Sequence, residues 1–436
     1  MTIYNFISFL GIFLFVGIGW LLSENKKILN WRVILWGIAI QLAIAAFIFV
    51  LPAGTKLFLF INDLVVKVLD SATAGSKFVF GRLALPPQTQ GPNGETSLGF
   101  ILAFQSFPTI IFFSALMSIL YYLNVMPVII KWFSAFFTKF MRISGAESIV
   151  NVSNIFVGLE SEFTIKPHLP DMTKSELFVV LVSGMSTIAS NVLALYVFSL
   201  KNQFPSIAGH LVSATLISAP AALVMAKIII PEREIPKTLG KNIEPYYEKE
   251  NSIFEAIING SIAGVKTIVG IVALLIAVLG LVSLLDLILT AFGGKINHIC
   301  NINIDWTIKG LLGYIFYPFT LILGVPINDT FEISKLIGER VILTEVAAYQ
   351  DLSVLIQKGI LTDMRSAVIA VYALCGFAHV ASMAIFVGGT AALAPNKTKI
   401  LSKIGFKALI AATLACLMTA CVAGTFFCGN SILLSK

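Results

Sequence analysis

The chain has 436 residues, of which 57% are hydrophobic and only 12% charged, and its formal net charge is +7. About a quarter of the residues in a soluble globular domain are charged, so this composition excludes a soluble globular protein. It indicates a polytopic all-α membrane protein. Basic loops at the cytoplasmic face account for the positive charge without any nucleic-acid partner. The five cysteines have no CxxC spacing, so neither a cofactor nor a metal–thiolate site is expected.

Eight apolar runs are predicted to be transmembrane helices, and the first is a retained span because no signal-peptide features surround it. They are residues 5–22, 33–51, 97–123, 175–199, 207–230, 265–289, 366–388 and 408–429. Residues 56–69 and 127–142 are amphipathic, which is typical of helices in the membrane interface. Residues 147–169 and 308–341 are apolar but interrupted, and they are predicted to be re-entrant helical hairpins, with turns at residues 158–162 and 324–329.

The distribution of lysine and arginine predicts the orientation of these spans. With an external N-terminus, four basic groups face the cytoplasm, and both termini of this plasma (inner) membrane protein are external. The groups are Lys26/Lys27/Arg32, Lys131/Lys139/Arg142, Arg233/Lys237/Lys241 and Lys397/Lys399/Lys403/Lys407. The first hairpin then enters the membrane from the cytoplasmic side and the second from outside.

The turn of the first hairpin carries Glu160 and Glu162 between strongly apolar flanks. A carboxylate at membrane depth costs about 2.5–3.5 kcal/mol on insertion scales, so such residues are usually functional. Both carboxylates could bind substrate, or they could pair with Lys166 or a neighbouring helix. Glu160 is the stronger candidate for a site residue.

An internal repeat links the two halves of the chain. The fourth span contains Gly184-x-x-Thr187-x-x-Ser190, the seventh contains Gly376-x-x-His379-x-x-Ser382, and each follows a predicted hairpin. Inverted repeats with discontinuous helices are typical of secondary transporters, whose site lies where the repeats meet. Alternatively, small residues at this spacing only let helices pack closely. The repeat predicts transport units at 144–200 and 307–392, scaffold segments at 1–143 and 201–306, and a last span at 393–436.

These segments resemble the concentrative nucleoside transporter family. The resemblance is carried by the following motifs: Ser144-Gly-Ala-Glu-Ser148, Asn154-Ile-Phe-Val-Gly158, Lys166-Pro-His-Leu169, Met172-Thr-Lys-Ser-Glu-Leu177, Thr187-Ile-Ala189, Gly324-Val-Pro, Thr344-Glu-Val-Ala-Ala-Tyr349 and Gly376-Phe-Ala-His-Val-Ala-Ser382. The resemblance implies a homotrimer in which a mobile transport domain of each protomer carries nucleosides together with sodium or, in some members, protons.

The resemblance also implies a sodium site near the first hairpin turn and the interrupted fourth span. The matching positions are Asn154, Val157, Thr187 and Ile188. The amide and hydroxyl side chains offer hard oxygens, and the two apolar residues would contribute backbone carbonyls, so sodium is favoured over a proton as the coupling ion.

The substrate positions carry over unevenly. Glu160 takes the place of the family's glutamate at the hairpin turn, but this turn is one residue shorter and its Gln-Thr pair is missing. Asn328 matches the glutamate that follows the family's Gly-Val-Pro-Trp, and His379 replaces an asparagine. The predicted substrate-binding residues are Leu159, Glu160, Val192, Asn328, Phe377, His379 and Ser382.

The predicted function is therefore sodium-coupled import of nucleosides by alternating access. The missing Gln-Thr pair and the Glu-to-Asn change leave an alternative substrate, namely a nucleobase, a modified nucleoside or another polar solute. For this alternative, protons are a second candidate for the coupling ion. An enzyme is not expected, because the chain lacks HExxH, GxSxG and any paired aspartate motif on its spans.

Overall fold

The computed structural model describes residues 2–87, 89–91, 94–201 and 203–429, without the side chains of Leu159 and Asn191. Secondary structure in this part of the chain is helical, apart from two isolated β-bridges. The α-helices are α1 Ile3–Leu21, α2 Trp31–Phe49, α3 Pro52–Phe80, α4 Leu102–Gln105, α5 Phe107–Tyr122, α6 Val125–Met141, α7 Gly145–Phe156, α8 Lys174–Ser186, α9 Ser190–Leu200, α10 Ile207–Ile229, α11 Ile253–Cys300, α12 Ile308–Ile322, α13 Ile327–Ile342, α14 Glu345–Gln357, α15 Met364–Leu374, α16 Val380–Leu393 and α17 Thr398–Phe426.

In the described part of the chain, six helical stretches are long and apolar enough to cross a membrane: α1, α2, α4 with α5, α10, α11 and the stretch that contains α17. A helix of 19 residues, such as α1, is about 28 Å long, close to the roughly 30 Å hydrocarbon core of a bilayer. Helices α10 and α17 are almost wholly buried, whereas α11 is exposed along most of its 48 residues. The molecule therefore has a central pair of helices inside a shell whose outer surface suits lipid.

Two further apolar segments are each divided into a pair of short helices. Helix α8 ends at Ser186 and α9 begins at Ser190, while α15 ends at Leu374 and α16 begins at Val380. Thr187 and His379 both have extended backbone within these gaps, with φ/ψ of −119°/163° and −138°/163°. We call residues 187–189 the first interruption and residues 375–379 the second interruption.

The first hairpin has the predicted position, but its two arms differ. Helix α7 turns at residues 157–158 and returns as a 3₁₀ segment, Leu159–Ile165. The open end is fastened to the long hydrophilic loop, because Gly145 N–H donates to the Thr238 carbonyl (2.9 Å) and Tyr246 N–H donates to the Thr164 carbonyl (2.8 Å). The turn itself reaches the first interruption: a Cβ on Gly158 would lie 3.1 Å from the Ala189 Cβ.

The second predicted hairpin has its bend at Gly324, between α12 and α13, but this turn packs against α1 and the start of α15. A Cβ on Gly324 would lie 2.4 Å from Ser8 Oγ near the start of α1, and the Gly324 carbonyl accepts a hydrogen bond from Arg365 at the start of α15 (2.8 Å). The turn between α13 and α14, at residues 343–344, leads directly into Glu345, which lies 3.0 Å from His379 in the second interruption. The Gly-Val-Pro motif marks a real bend, but one at the far end of α13.

Basic side chains from separate parts of the chain meet around Glu24. Glu24, between α1 and α2, accepts hydrogen bonds from Lys174 (2.7 Å) and Lys407 (2.9 Å), and the Arg233 guanidinium donates to its carbonyl oxygen. Partial burial opposes ionisation of this carboxyl, but its lysine partners hold the pKa of Glu24 below its usual value. The loops before α2, α8 and α11 therefore share one side with the basic part of α17.

Candidate functional site

The second interruption lies against the end of α8, directly before the first interruption. A Cβ added to Gly376 in the second interruption would lie 2.8 Å from the carbonyl oxygen of Ser186, the last residue of α8. It would also lie 2.6 Å from the Cys416 Sγ on α17. Glycine at 376 therefore lets the backbones of the two broken segments approach without a side chain between them.

The backbone carbonyl of Ser186, at the end of α8, accepts hydrogen bonds from side chains of other helices. The Ser186 carbonyl accepts a hydrogen bond from Ser218 Oγ on α10 (2.5 Å) and from Cys416 Sγ (3.7 Å). The same thiol also lies 3.6 Å from the Cys375 carbonyl of the second interruption. The buried pair α10 and α17 thus supports both broken segments from one side.

A buried carboxylate is held at the second interruption. Glu345, in the first turn of α14, accepts a hydrogen bond from Tyr196 on α9 (2.7 Å), and its other oxygen lies 3.0 Å from His379 Nε2. His379 Nδ1 accepts the Ser382 N–H (3.2 Å), so the neutral ring carries its proton on Nε2, the nitrogen that faces Glu345. Both ring nitrogens of His379 therefore have protein partners, and this residue positions Glu345.

The first interruption offers oxygen atoms without charge. Asn154 donates from Nδ2 to the Val150 carbonyl (2.9 Å), which leaves its Oδ1 to accept a hydrogen bond from Ser161 and retains a second lone pair. Thr187 Oγ1 donates to the Ser183 carbonyl (3.0 Å). Among the described residues, no hydrogen bond ends on the carbonyls of Val157 and Ile188. These hard oxygens suit a small cation such as sodium.

A cavity of about 340 Å³ opens beside the turn of the first hairpin. Glu160 and Val157 line it, together with aromatic rings from α5, the hairpin and the hydrophilic loop: Tyr121, Tyr122, Phe156, Phe163, Tyr246 and Tyr247. Its volume is at the lower end of the range for small-molecule pockets, and ring faces beside a carboxylate suit a flat, hydrogen-bonding ligand.

The remaining predicted substrate residues do not lie together. Val192 and Ser382 are buried, Phe377 is half-buried, and Ser382 Oγ donates to the carbonyls of Phe377 and His379. The side chain of Leu159 is outside the described residues. Among the predicted substrate residues, Phe377 and His379 lie in the second interruption, Ser382 lies beside them in the first turn of α16, and Glu160 faces the cavity.

Asn328 lies apart from both interruptions. It is exposed in the first turn of α13, and its neighbour Asp329 accepts hydrogen bonds from Ser366 and Thr362 around the start of α15. Because α15 has 11 residues, this turn is about 16 Å along the helix from the second interruption. The prediction that Asn328 replaces an acidic substrate ligand does not fit this geometry, and Glu345 occupies the place expected for it.

Sequence reasoning missed two contributors to the second interruption. Glu345 was not among the predicted site residues, although the Thr344–Tyr349 motif that contains it carried part of the family resemblance. It did not consider Arg340, which is fully buried and donates from Nη1 to the Ala373 carbonyl at the end of α15 (2.7 Å). A cation at the C-terminus of a helix is favoured by the helix dipole, so Arg340 stabilises the broken end.

Three family models match the chain, and together they cover most of it. The model of the N-terminus of Na⁺-dependent nucleoside transporters matches residues 10–83, the nucleoside recognition Gate model matches residues 103–203, and the model of the C-terminus of Na⁺-dependent nucleoside transporters matches residues 210–424.

Individual relatives agree with these models. The chain is 35% identical to mouse solute carrier family 28 member 3 over 96% of its own length, but it spans only 58% of that longer protein. It is 35% identical to an uncharacterized transporter of Haemophilus influenzae and 32% identical to the nucleoside permease NupC of Helicobacter pylori, and it covers 97% and 99% of these proteins.

The fold is similar to that of solved transporter structures. CNTnw in an inward-facing, substrate-bound state aligns with a TM-score of 0.86 at 31% identity, covering 97% of this chain and 98% of that one. An outward-facing variant of CNTnw aligns with a TM-score of 0.87. The family resemblance predicted from the motifs is confirmed, as is the prediction of a transporter rather than an enzyme.

Proposed function

Because this chain belongs to the family of Na⁺-dependent nucleoside transporters, we propose that it imports nucleosides by symport with sodium and alternating access. The observation that supports this function most directly is the contact of the second interruption with the end of α8, beside the buried Glu345. One interruption supplies uncharged oxygens suited to a cation, and the other supplies a fixed carboxylate suited to a polar solute.

We assign eight membrane crossings, two of them interrupted, and two re-entrant hairpins. The first hairpin is α7 with its 3₁₀ arm, and the second is α13 with α14 rather than α12 with α13. Residues 144–200 and 307–392 form the transport units, which move against scaffold segments at 1–143 and 201–306, and residues 393–436 carry the last span. The basic face is cytoplasmic and both termini are external.

The coupling ion is sodium, held by Asn154 Oδ1, Thr187 Oγ1 and the carbonyls of Val157 and Ile188. Contact between Gly158 and Ala189 supports this assignment, since it brings the hairpin turn to the first interruption. One sodium ion moving down about 100 mV contributes roughly 2.3 kcal/mol. A tenfold sodium gradient adds about 1.4 kcal/mol, so one ion supports roughly 500-fold accumulation of the substrate.

The nucleoside is held between the hairpin turns and the second interruption. Ribose hydroxyls donate to the carboxylate of Glu345, which Tyr196 and His379 hold in place. Glu160 accepts from an amide or amino group of the base, and Phe377 and Val192 contribute apolar surface beside Ser382. A buried carboxylate recognises hydroxyl donors strongly, because a hydrogen bond to a charged group contributes about 1.5–3 kcal/mol.

Purified protein in liposomes provides the test. Labelled uridine or adenosine should accumulate when a sodium gradient and an inside-negative potential are applied, and uptake should collapse when potassium replaces external sodium. Uptake that persists without sodium but needs an acidic exterior would reject the coupling ion. Absence of saturable uptake of any nucleoside would reject the substrate class.

A second cargo class is favoured by one observation. Both ring nitrogens of His379 have protein partners, so this residue cannot supply the donor and acceptor pair of an asparagine to a nucleoside. The alternative substrate is therefore a nucleobase, a modified nucleoside or another polar solute. Protons are then a second candidate for the coupling ion. Competition of uptake by unlabelled nucleosides and bases separates these cargoes, since the effective competitors identify the substrate.

The expected surroundings are the plasma (inner) membrane and a homotrimer, with lipid, sodium and the solute as the other partners and no nucleic acid. The exposed apolar surface of α11 supports contact with lipid or other protomers. Native mass spectrometry of protein released from detergent micelles tests the assembly: a single species with the mass of three chains is expected, and a monomer would reject the trimer.

A further inference from the structure

A second carboxylate in the first hairpin is not used by the proposed site. Glu162 is only 1% exposed on the 3₁₀ arm, and its Oε1 lies 2.6 Å from Thr390 Oγ1 on α16. Its Oε2 is buried and has no hydrogen-bond partner among the described residues. Glu162 therefore links the first hairpin to the helix that follows the second interruption.

Among the described residues, no positively charged side chain pairs with this carboxyl group. Helix α16 contains no charged residue, and the charged residues on the other elements packed against the arm are engaged elsewhere or exposed. They are Glu147 on α7, which pairs with Lys227; Lys174 on α8, which pairs with Glu24; Glu176 on α8, which accepts from the Thr173 N–H; Lys166 on the arm, which pairs with Glu248; and Glu160, which faces the cavity.

The contact with Thr390 is informative about the proton. Thr390 Oγ1 has one hydrogen, and it also lies 2.7 Å from the Phe386 carbonyl one turn earlier. When that hydrogen is donated to Phe386, the short contact with Glu162 requires the carboxyl group to be the donor. Glu162 must then carry a proton on Oε1.

The energies favour the same state. An ionised Glu162 would be a buried charge with at most one neutral donor, and an unpaired buried ion costs several kcal/mol even after relaxation. A neutral acid leaves only the Oε2 carbonyl oxygen without a partner, which costs about 1–3 kcal/mol. The neutral acid is therefore the more stable form in this arrangement.

We propose that Glu162 is a proton-binding site that fastens the first hairpin to α16. The carboxylate takes up a proton from water when the arm packs on α16, and it returns that proton to water when the arm separates and the group is hydrated. The dependence of transport on this step rests on the proposed function, because it requires the hairpin to move. The protonation of Glu162 while the arm is packed on α16 does not rest on the proposed function.

Infrared difference spectroscopy tests the protonated state without transport. At neutral pH the wild-type protein should show the C=O stretching band of a neutral carboxylic acid. Glu162→Gln should remove this band, Thr390→Val should shift it by removing the hydrogen-bond partner, and the exposed control Glu234→Gln should leave it unchanged. A band that survives in Glu162→Gln, or no such band in wild type, would overturn the proposal.

Uptake by liposomes tests the coupling to transport. Sodium-driven uridine uptake by wild type should fall as the external pH rises, by up to about tenfold per pH unit, the limit for one bound proton. Glu162→Gln should abolish this pH dependence and keep the sodium concentration for half-maximal uptake. If Glu162→Gln kept the pH profile of wild type, or changed the sodium concentration for half-maximal uptake, a proton site at Glu162 that acts in transport would be overturned. If wild type carries no nucleoside, the proposed function fails and the infrared result alone decides the site.

Discussion

The two interruptions have similar backbones but different chemistry. The first is surrounded by amide, hydroxyl and carbonyl oxygens, with no charged side chain bonded to it among the described residues. The second is held by Glu345, His379 and Arg340, all buried. A cation brings its own charge and needs only dipoles, whereas a neutral solute is oriented best by a fixed charge. If the proposed function holds, one repeated element serves two different ligands.

Removing the charge of the second interruption should have the largest effect. We expect Glu345→Gln to reduce nucleoside uptake at least about 100-fold, because breaking a buried charged contact costs about 3–5 kcal/mol. Initial rates in liposomes measure this, with thermal unfolding as a check on the fold. The control Glu332→Gln loses only a surface pair with Lys335 and should stay within about twofold of wild type. Equal losses in both variants would contradict the charge difference between the interruptions.

Separating the interruptions should have the next largest effect. Gly376→Ala places a methyl group against the Ser186 carbonyl, and overpacking of this kind costs about 1–3 kcal/mol. We expect uptake to fall about tenfold and the midpoint of thermal unfolding to drop. Gly388→Ala is the matched control on α16, because nothing lies within 4 Å of its added Cβ. Wild-type uptake by Gly376→Ala would show that the close backbone contact is dispensable.

A change at the first interruption should alter the ion rather than the solute. Thr187→Val keeps the side-chain shape but removes an oxygen ligand, and a lost contact of about 1 kcal/mol corresponds to roughly a fivefold change. We expect the sodium concentration for half-maximal uptake to rise about fivefold, with little change in maximal rate. Thr419→Val is the control, since Thr419 is buried on α17 and donates to the Ala415 carbonyl in the same way.

The smallest effect is expected at Asn328. Because this residue is exposed beside the start of α15, Asn328→Ala should change the affinity for nucleosides by less than about twofold. Concentration series of uridine uptake measure that affinity. A large loss of affinity would return Asn328 to the substrate site and would mean that the α12–α13 turn reaches the cargo during transport.

Much of the architecture could be predicted from local patterns. Apolar runs of sufficient length identify membrane helices, and polar residues within the runs around Thr187 and His379 marked the two interruptions. The motif Ser144-Gly-Ala-Glu147 begins α7 with a reciprocal capping box, in which Ser144 Oγ accepts from the Glu147 N–H (3.2 Å). These features depend on residues within one turn of each other.

The second hairpin shows where local patterns were insufficient. Gly324-Val-Pro and the residues around Thr344 both mark a turn between two helices, and the sequence alone does not show which of them reaches the interior. The Gly324 motif was chosen, and Asn328 was assigned to the substrate with it. The contacts that decide between these turns join Gly324 to Ser8 and Glu345 to Tyr196, residues that are far apart in the chain.

By itself, the sequence of this protein determined a polytopic helical membrane protein, the two broken spans and the family to which it belongs. Only the tertiary structure decided that Glu345 lies beside the second interruption, that His379 faces Glu345 with one ring nitrogen and the Ser382 N–H with the other, and that Glu162 is buried against Thr390. The physical reason is that span length and helix breaks follow from neighbouring residues. The burial and partners of a carboxylate depend instead on which distant helices pack around it.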